Sequence, residues 1–340
     1  MKSRNRIVST IVVAGILAGL FGASPPAQGD TSETQEEILE QDRTLRGLWL
    51  GFQDRVAGIR LRAMEEVETG ARYDDTNLDW VWTGLSIQGA LPLPDPRRGL
   101  AVSFSTRVLT PIVRGSTRFV DLPGSPDDPF DPMLDSALRV GGHIGFGRGF
   151  GLALGAGLAA RHEIGADLKS ALAVGGSIAL EYRREDWLRV RLGVGMGTGI
   201  DRARLAASPV FRMRIRPRPD LWLEVGASGG RIEWAISPRL ELSLFGGIDS
   251  RRYRLDERGG RLGAGSIEIE KSEVGMGIRA RVGRTLRVRG ETAVVLGRRI
   301  SILDEDRRSV DARDTREPSV ALRIFIEWRP FRGFGGSQGT

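Results

Sequence analysis

The stretch LRVRLGVGM, from Leu188 to Met196, decides the fold class of this chain. Every second residue, starting with Leu188, is apolar, and the residues between are arginine or glycine. Side chains of a β-strand point alternately to its two sides, so a repeat of two is typical of a strand with unlike faces. One face of this strand suits lipid, and the other is charged or very small.

The same alternation recurs often enough to predict fourteen strands. They cover residues 56–68, 78–93, 99–112, 135–146, 150–161, 170–182, 187–200, 207–216, 221–227, 231–236, 240–255, 266–282, 286–301 and 318–331. The ninth and tenth are short and meet at a brief loop, so twelve strands is an alternative. Among β-sheets, only a closed one satisfies every backbone group in hydrocarbon. We therefore predict an all-β fold, a closed antiparallel transmembrane β-barrel of about fourteen strands.

Connection lengths distinguish a membrane barrel from a soluble β-sandwich, whose strands also alternate apolar and polar residues. Short turns cover residues 94–98, 147–149, 183–186, 217–220, 237–239 and 283–285. Mostly longer connections alternate with them, at residues 69–77, 113–134, 162–169, 201–206, 228–230, 256–265 and 302–317. Short periplasmic turns and longer external loops around an even number of strands are typical of bacterial outer-membrane barrels. This pattern predicts that both chain ends lie in the periplasm.

The N-terminus has the layout of a secretory signal peptide, predicted at residues 1–29. Lys2, Arg4 and Arg6 precede an apolar run that ends near Gly22, and small and polar residues follow it. The alternative is an uncleaved anchor, but the run is shorter than the ~20 apolar residues of a spanning helix. No later stretch approaches that length. The expected location is the bacterial outer membrane.

Two flanking segments complete the predicted organisation around a barrel at residues 56–331. Residues 30–55 form a periplasmic segment whose apolar residues lie at helical spacing, which predicts a short helix. This helix could plug the lumen, lie on the membrane or lead into the barrel. The last strand ends in Phe331 and resembles the terminal strand that the outer-membrane assembly machinery recognises, with residues 332–340 as a tail. The expected partners are this machinery and outer-membrane lipids, with the oligomeric state left open.

Composition excludes several classes of protein. The formal charge is +7, of which Lys2, Arg4 and Arg6 leave with the signal, and the remaining cations are mostly arginines interleaved with acids. Nucleic-acid-binding proteins instead concentrate basic charge and stacking aromatics on one face. The chain has 46 Gly, 3 Tyr and no Cys, so zinc-thiolate sites and thiol nucleophiles are excluded. We expect no nucleic-acid partner.

Four segments carry a family resemblance: GADLKSALAVGGSIALEYRRED, ASPVFRMRIRPRPDLWLEVG, RIEWAISPRLELSLFGGIDSRRYRLDE and RGETAVVLGRRISILDED. They lie at Gly165–Asp186, Ala207–Gly226, Arg231–Glu257 and Arg289–Asp306. Together they resemble a family of bacterial outer-membrane β-barrels of unknown function, over about two thirds of the chain after the signal. The resemblance implies the barrel architecture and brings no functional residues.

Residues capable of catalysis or metal binding are few. The two histidines, His143 and His162, lack metal-ligand spacing. His162 and Glu163 lie near the predicted rim, where barrel lipases place a histidine beside a serine, but no GxSxG turn accompanies them. The carboxylates of residues 127–132 miss the spacing of a calcium loop. We expect no catalytic residues, no metal and no cofactor.

The most informative chemistry is a set of charged residues on the predicted lumen face. It comprises Arg139, Glu181, Arg189, Arg191, Arg212, Arg214, Glu224, Glu233, Glu241, Arg279, Arg281, Arg323 and Glu327. Fixed arginines raise the local concentration of anions, which would favour their passage. Opposite charges on neighbouring strands can instead form cross-strand pairs that fill and close a narrow barrel. The interleaved acids favour the second interpretation.

The sequence predicts a protein without enzymatic activity that acts as a pore or passive transporter. The expected solutes are small and polar and could include anions. The alternative is a structural or surface-binding barrel without conductance. A barrel hydrolase acting on envelope lipids is less favoured and would depend on His162. The sequence does not identify a solute or partner.

Overall fold

The computed structural model describes residues 58–73, 76–92, 98–114, 130–185, 187–200, 205–257, 264–283, 285–315 and 317–329. The predicted signal peptide, the segment at residues 30–55 and the tail at residues 332–340 lie outside these ranges. Within them, no helix is long and apolar enough to cross a membrane.

The described ranges contain fifteen β-strands. In chain order they are β1 (Gly58–Tyr73), β2 (Thr76–Pro92), β3 (Arg98–Arg114), β4 (Met133–Gly147), β5 (Phe150–Glu163), β6 (Leu172–Arg184), β7 (Leu188–Thr198), β8 (Leu205–Arg218), β9 (Leu221–Gly226), β10 (Gly229–Ser237), β11 (Leu240–Arg254), β12 (Ser266–Val282), β13 (Leu286–Leu303), β14 (Ser309–Asp314) and β15 (Ser319–Trp328).

Fourteen of these strands form a closed antiparallel barrel. Each pairs with its neighbours in chain order, and β15 closes the wall by pairing with β13 on one side and with β1 on the other. The closing register places Leu61 of β1 opposite Trp328 of β15. Both short strands, β9 and β10, belong to the wall. The predicted barrel of fourteen strands is therefore confirmed, and the alternative of twelve is not what forms.

The remaining strand, β14, lies within the connection predicted at residues 302–317. The pairing of β13 with β15 ends at Val295 opposite Ser319, which leaves the last part of β13 without that partner. β14 pairs with this part of β13, from Arg299 opposite Asp314 to Leu303 opposite Ser309. The connection thus folds back as a strand because a free strand edge was available to it.

The predicted connection at residues 69–77 is also mostly strand. β1 continues to Tyr73 through a bulge, at which the register with β2 shifts between Glu68 and Ala71. Gly70 in the bulge has a φ of +82°, and its backbone N–H donates a 3.2 Å hydrogen bond to Asp79 Oδ1. Because the bulge interrupts the alternation of apolar and polar residues, alternation alone predicts that this strand ends at residue 68.

The barrel has two ends, named here for their connections. The turn end is where β1 begins and where short turns lie, such as Arg148–Gly149 and Pro219–Asp220. The loop end is where β3 is joined to β4 and β11 to β12 by longer connections. From the turn end to the middle, apolar side chains are on the outer surface and charged side chains are inside. Leu192 is 57% exposed, whereas the adjacent Arg191 is 4% exposed.

Towards the loop end, the two faces exchange polarity. On β11, Leu244 and Ile248 are exposed on the outer face, but the buried Tyr253 and the following Leu255 have the opposite strand parity. Such inward apolar residues form one cluster, the loop-end core. Its members are Ala71, Trp80, Trp82, Leu109, Phe130, Met133, Tyr253, Leu255, Ile267, Ile269, Ile300 and Ile302. This part of the barrel is packed like a water-soluble protein, with its apolar residues inside.

Candidate functional site

The barrel interior carries the charged residues predicted from sequence, and Glu181 is the centre of one group. Its carboxylate accepts hydrogen bonds from Arg189 Nη2 at 2.8 Å and from Arg191 Nε at 2.5 Å. Arg183 Nη2 lies 3.6 Å from the same carboxylate. The strand register explains the contact, because Glu181 on β6 faces Arg191 on β7. Opposite charges at facing positions on neighbouring strands stabilise the sheet.

The neighbouring strands β8 and β9 add a second pair of opposite charges. Arg212 Nη2 donates a hydrogen bond to Glu224 Oε1, and the guanidinium of Arg214 lies over the Trp222 ring, 4.2 Å from its centroid. Four guanidinium groups line a small void of about 10 Å³ between β7 and β8. These four, called the arginine cluster below, belong to Arg189, Arg191, Arg212 and Arg214.

Other predicted residues meet near the turn end. Arg279 bonds to Glu241 at 2.5 Å through Nη1 and to Glu233 at 3.2 Å through Nη2. Glu327 accepts a 2.6 Å hydrogen bond from Arg329 Nε. Arg281 lines a small void together with Arg279.

Two further residues, Arg139 and His143, lie on β4. The Nε atom of Arg139 is buried and has no hydrogen-bond partner among the described residues. His143 Nδ1 lies 3.9 Å from Glu181 Oε1, at the margin of the group around that carboxylate.

The central interior holds a network that sequence reasoning largely missed. Of its members, only Arg323 was in the predicted set. Lys271 Nζ of β12 donates a 2.6 Å hydrogen bond to Glu66 Oε1 of β1, and Arg323 Nη2 of β15 donates to the same oxygen at 3.0 Å. Arg323 also bonds to Glu273 and lies 3.7 Å from Glu291. Glu291 in turn accepts a 3.2 Å bond from Arg231 of β10. This network ties β1, β10, β12, β13 and β15 together across the interior.

The alternation along β1 could have identified its inward-facing acids, because residues at every second position of a strand share one face. Arg60, Arg62, Glu66 and Glu68 are all even-numbered residues on one face of that strand. The partner Lys271 could not be assigned in the same way, because the contact joins strands that are far apart in sequence.

Beside the loop-end core is a fully buried ion pair. Glu68 and Arg298 are both 0% exposed, and Arg298 Nη2 donates to Glu68 Oε2. Ser319 Oγ donates a 2.7 Å hydrogen bond to the other carboxylate oxygen, and the Arg298 guanidinium lies 4.8 Å from the centroid of the Trp80 ring. Each carboxylate oxygen is thus bonded, which a buried charge requires.

The loop end is crossed by the end of β11. Arg254 of β11 forms a parallel bridge with His162 of β5, although five strands separate β5 from β11 in the wall. The buried carboxylate of Glu163 accepts hydrogen bonds from the backbone N–H groups of Asp131 at 2.7 Å and Asp256 at 2.9 Å. The core and this crossing strand therefore obstruct a straight axial path.

The predicted catalytic candidate is part of this crossing. His162 Nδ1 lies 2.8 Å from the backbone oxygen of Glu163. Within the described part of the chain, no group of three or more His, Cys, Asp or Glu residues could hold a metal ion.

Comparison with known proteins found no matching family model and no matching curated protein. Several solved barrels are similar in structure. An outer membrane channel from Pseudomonas putida F1 has 11% identity and a TM-score of 0.44, over 81% of this chain and 96% of that one. The NanC porin has 9% identity and a TM-score of 0.36, over 79% and 99%. The KdgM porin in complex with disordered oligogalacturonate has 7% identity and a TM-score of 0.34, over 80% and 99%.

Proposed function

We propose that this protein is a channel of the bacterial outer membrane that lets small polar solutes pass passively and favours anions. In this proposal the turn end and both termini face the periplasm, as short turns do in outer-membrane barrels. Its partners are the membrane lipids and, during biogenesis, the barrel assembly machinery.

The excess of guanidinium groups on β6, β7, β8 and β9 carries this proposal. Among their described interior residues, five arginines face two glutamates: Arg183, Arg189, Arg191, Arg212 and Arg214 against Glu181 and Glu224. The two glutamates of these strands balance two of the five charges. Fixed cations beside a water-filled path attract anions and lower their entry barrier, and screening is weaker there than in bulk water.

The rest of the interior has a different role in this proposal. Around Glu66 and Glu291, acids and bases occur in similar numbers and bond to one another. Such networks hold neighbouring strands together and contribute little net field. Selectivity therefore depends on the arginine cluster.

Ion selectivity in planar lipid bilayers tests this proposal. The double variant Arg189→Gln/Arg214→Gln removes two positive charges from the arginine cluster without adding acids. We expect the reversal potential in a KCl gradient to shift towards cation preference. Arg308→Gln is the matched control, because that side chain is 81% exposed beyond the end of β13. An unchanged reversal potential, or no conductance from folded wild-type protein, would contradict the proposal.

A closed barrel that binds a partner at the cell surface is the second candidate. The loop-end core and the crossing of β11 favour it, because both obstruct the axis. This candidate predicts no conductance from the wild-type protein. In either case we propose that the protein is not an enzyme, and an unchanged envelope lipid composition after His162→Ala is the expected result.

A further inference from the structure

The barrel wall has a gap between β8 and β11, on the loop-end side of the turn that joins the short strands β9 and β10. β8 pairs with β9 only as far as Arg212 opposite Gly226, although β8 begins at Leu205. β11 pairs with β10 as far as Gly247 opposite Gly229, although it continues to Arg254. Between that turn and the loop end, the wall therefore lacks the two strands that would separate β8 from β11. At about 4.8 Å between neighbouring strands, β8 and β11 lie roughly 14 Å apart at the level of the hairpin turn.

The path of β11 keeps this gap open. At the level of the hairpin, Ile248 N–H donates a 2.9 Å hydrogen bond to the backbone oxygen of Ser228. Beyond this bond, β11 runs inward to its bridge with His162. Residues 205–211 of β8 consequently have no β-partner on that side within the described chain. An unpaired backbone edge is tolerated at membrane depth only where it borders protein or a water-filled cavity.

The gap spans the edge of the apolar belt of the barrel. On the outer face of β8, apolar residues continue from Phe211 to Leu205, which is 67% exposed. On β11 the last exposed apolar residue is Ile248, directly above the hairpin turn, and the next residue of that face is the buried Ser250. The gap therefore begins in the apolar belt and continues beyond it, where β11 carries polar residues at positions 249–252 and water can enter.

A cavity of about 330 Å³ occupies the gap and reaches into the interior. Its lining includes Phe211 and Ile248, which occupy outward-facing strand positions, and Arg212, Arg231 and Phe245, which occupy inward-facing positions. Its volume is at the lower end of the range for small-molecule pockets. Residues of both faces thus border the cavity at the place where the wall lacks two strands.

The charged groups of the cavity differ in what they can still bind. Its acids each have an arginine partner: Glu224 with Arg212, Asp249 with Arg251 and Glu273 with Arg323. Among the described residues, Arg212 donates one hydrogen bond to the carboxylate of Glu224, and Arg231 donates one to that of Glu291. A guanidinium has five N–H donors, so both can accommodate a further acceptor. Carboxylates suit this geometry because they accept paired N–H bonds.

We infer that this opening is a side entrance to the interior and that it binds small amphiphilic carboxylates. The apolar chain would lie against Phe211 and Ile248, and the carboxylate would reach Arg212 and Arg231. Entry from the side avoids the loop-end core. The transport part of this inference rests on the proposed channel function, whereas the binding part does not.

Fluorescence in lipid nanodiscs tests the binding part, with decanoate as the probe. The chain has no cysteine, so Ser228→Cys provides a single labelling site at the gap. We expect a saturable change in the fluorescence of an environment-sensitive label there when decanoate is added, and none with acetate. Lys169→Cys, on the exposed connection between β5 and β6, is the control and should not respond. Equal responses at both sites would overturn the assignment.

Two further measurements keep binding and transport distinguishable. Arg212→Gln/Arg231→Gln should weaken decanoate binding about tenfold or more, as loss of charge-assisted hydrogen bonds implies. Unchanged affinity would refute the site. A bulky maleimide on Ser228→Cys, attached after folding, should abolish conductance, while the same reagent on Lys169→Cys should not. If conductance persists after the label is attached, the gap is not the entrance to the interior. Decanoate binding without wild-type conductance removes the channel function and leaves the site standing.

Discussion

Replacing Glu68 by glutamine should destabilise the folded barrel by about 3–5 kcal/mol. Glu68 and Arg298 are both 0% exposed, and the carboxylate accepts hydrogen bonds from Arg298 and Ser319. The neutral amide would leave the Arg298 guanidinium buried without its counter-charge. Removing one partner of a buried ion pair has this cost because the remaining charge is neither hydrated nor neutralised.

Equilibrium unfolding in detergent micelles, followed by the gel mobility of folded and unfolded protein, measures this effect. The double variant Glu68→Gln/Arg298→Met should recover most of the lost stability, since no buried charge remains. Asp306→Asn is the control. It breaks an exposed ion pair with Arg308, at 4.0 Å, and should cost less than about 1 kcal/mol. A Glu68→Gln cost equal to the control, or a double variant as unstable as the single one, would refute the reasoning.

Three further outcomes are expected. Glu163→Gln should weaken the hydrogen bonds that the carboxylate accepts from the backbone N–H groups of Asp131 and Asp256, at a cost of about 1–3 kcal/mol of folding stability. It should also raise the conductance in bilayers. Unchanged conductance would contradict the view that the end of β11 closes the barrel. Gly229→Ala should cost about 1–3 kcal/mol in unfolding experiments, because φ is +149° and the new Cβ would meet the Gly246 carbonyl; a neutral result would argue against the tight hairpin packing. Leu192→Arg, in the apolar belt, should cost about 2–4 kcal/mol, whereas Thr110→Arg towards the loop end should cost about 0–1, and equal costs would contradict the proposed lipid boundary.

Strand number and order could be predicted because the barrel wall is built from a local pattern. The alternation from Leu188 to Met196 matches β7 closely, since one face contacts lipid and the other the interior. β9 and β10 were the uncertain elements because they are short, yet each pairs along its length with its neighbours. The bulge at Gly70 and the added strand β14 were missed, because register and edge pairing are not local properties.

The exchange of faces towards the loop end was visible in the sequence but was not interpreted. On β11, apolar residues move from even positions, such as Leu244 and Ile248, to odd positions, Tyr253 and Leu255. On β12 the opposite exchange separates Ile267 from Met276. Alternation identifies two faces without saying which is inside. Recognising a second core also requires knowing that β11 crosses to β5, a contact between distant strands.

The seam between β1 and β15 has a consequence for how the barrel assembles. It pairs Leu61 with Trp328, which stand near opposite ends of the described chain. Contacts between residues so distant in sequence form slowly, because a long loop must close before they gain any stability. Until β15 arrives, β1 and β13 expose edges that other chains can pair with. Folding of this wall is therefore complete only when its last strand is in place, and a chain shortened before Ser319 should aggregate instead of closing.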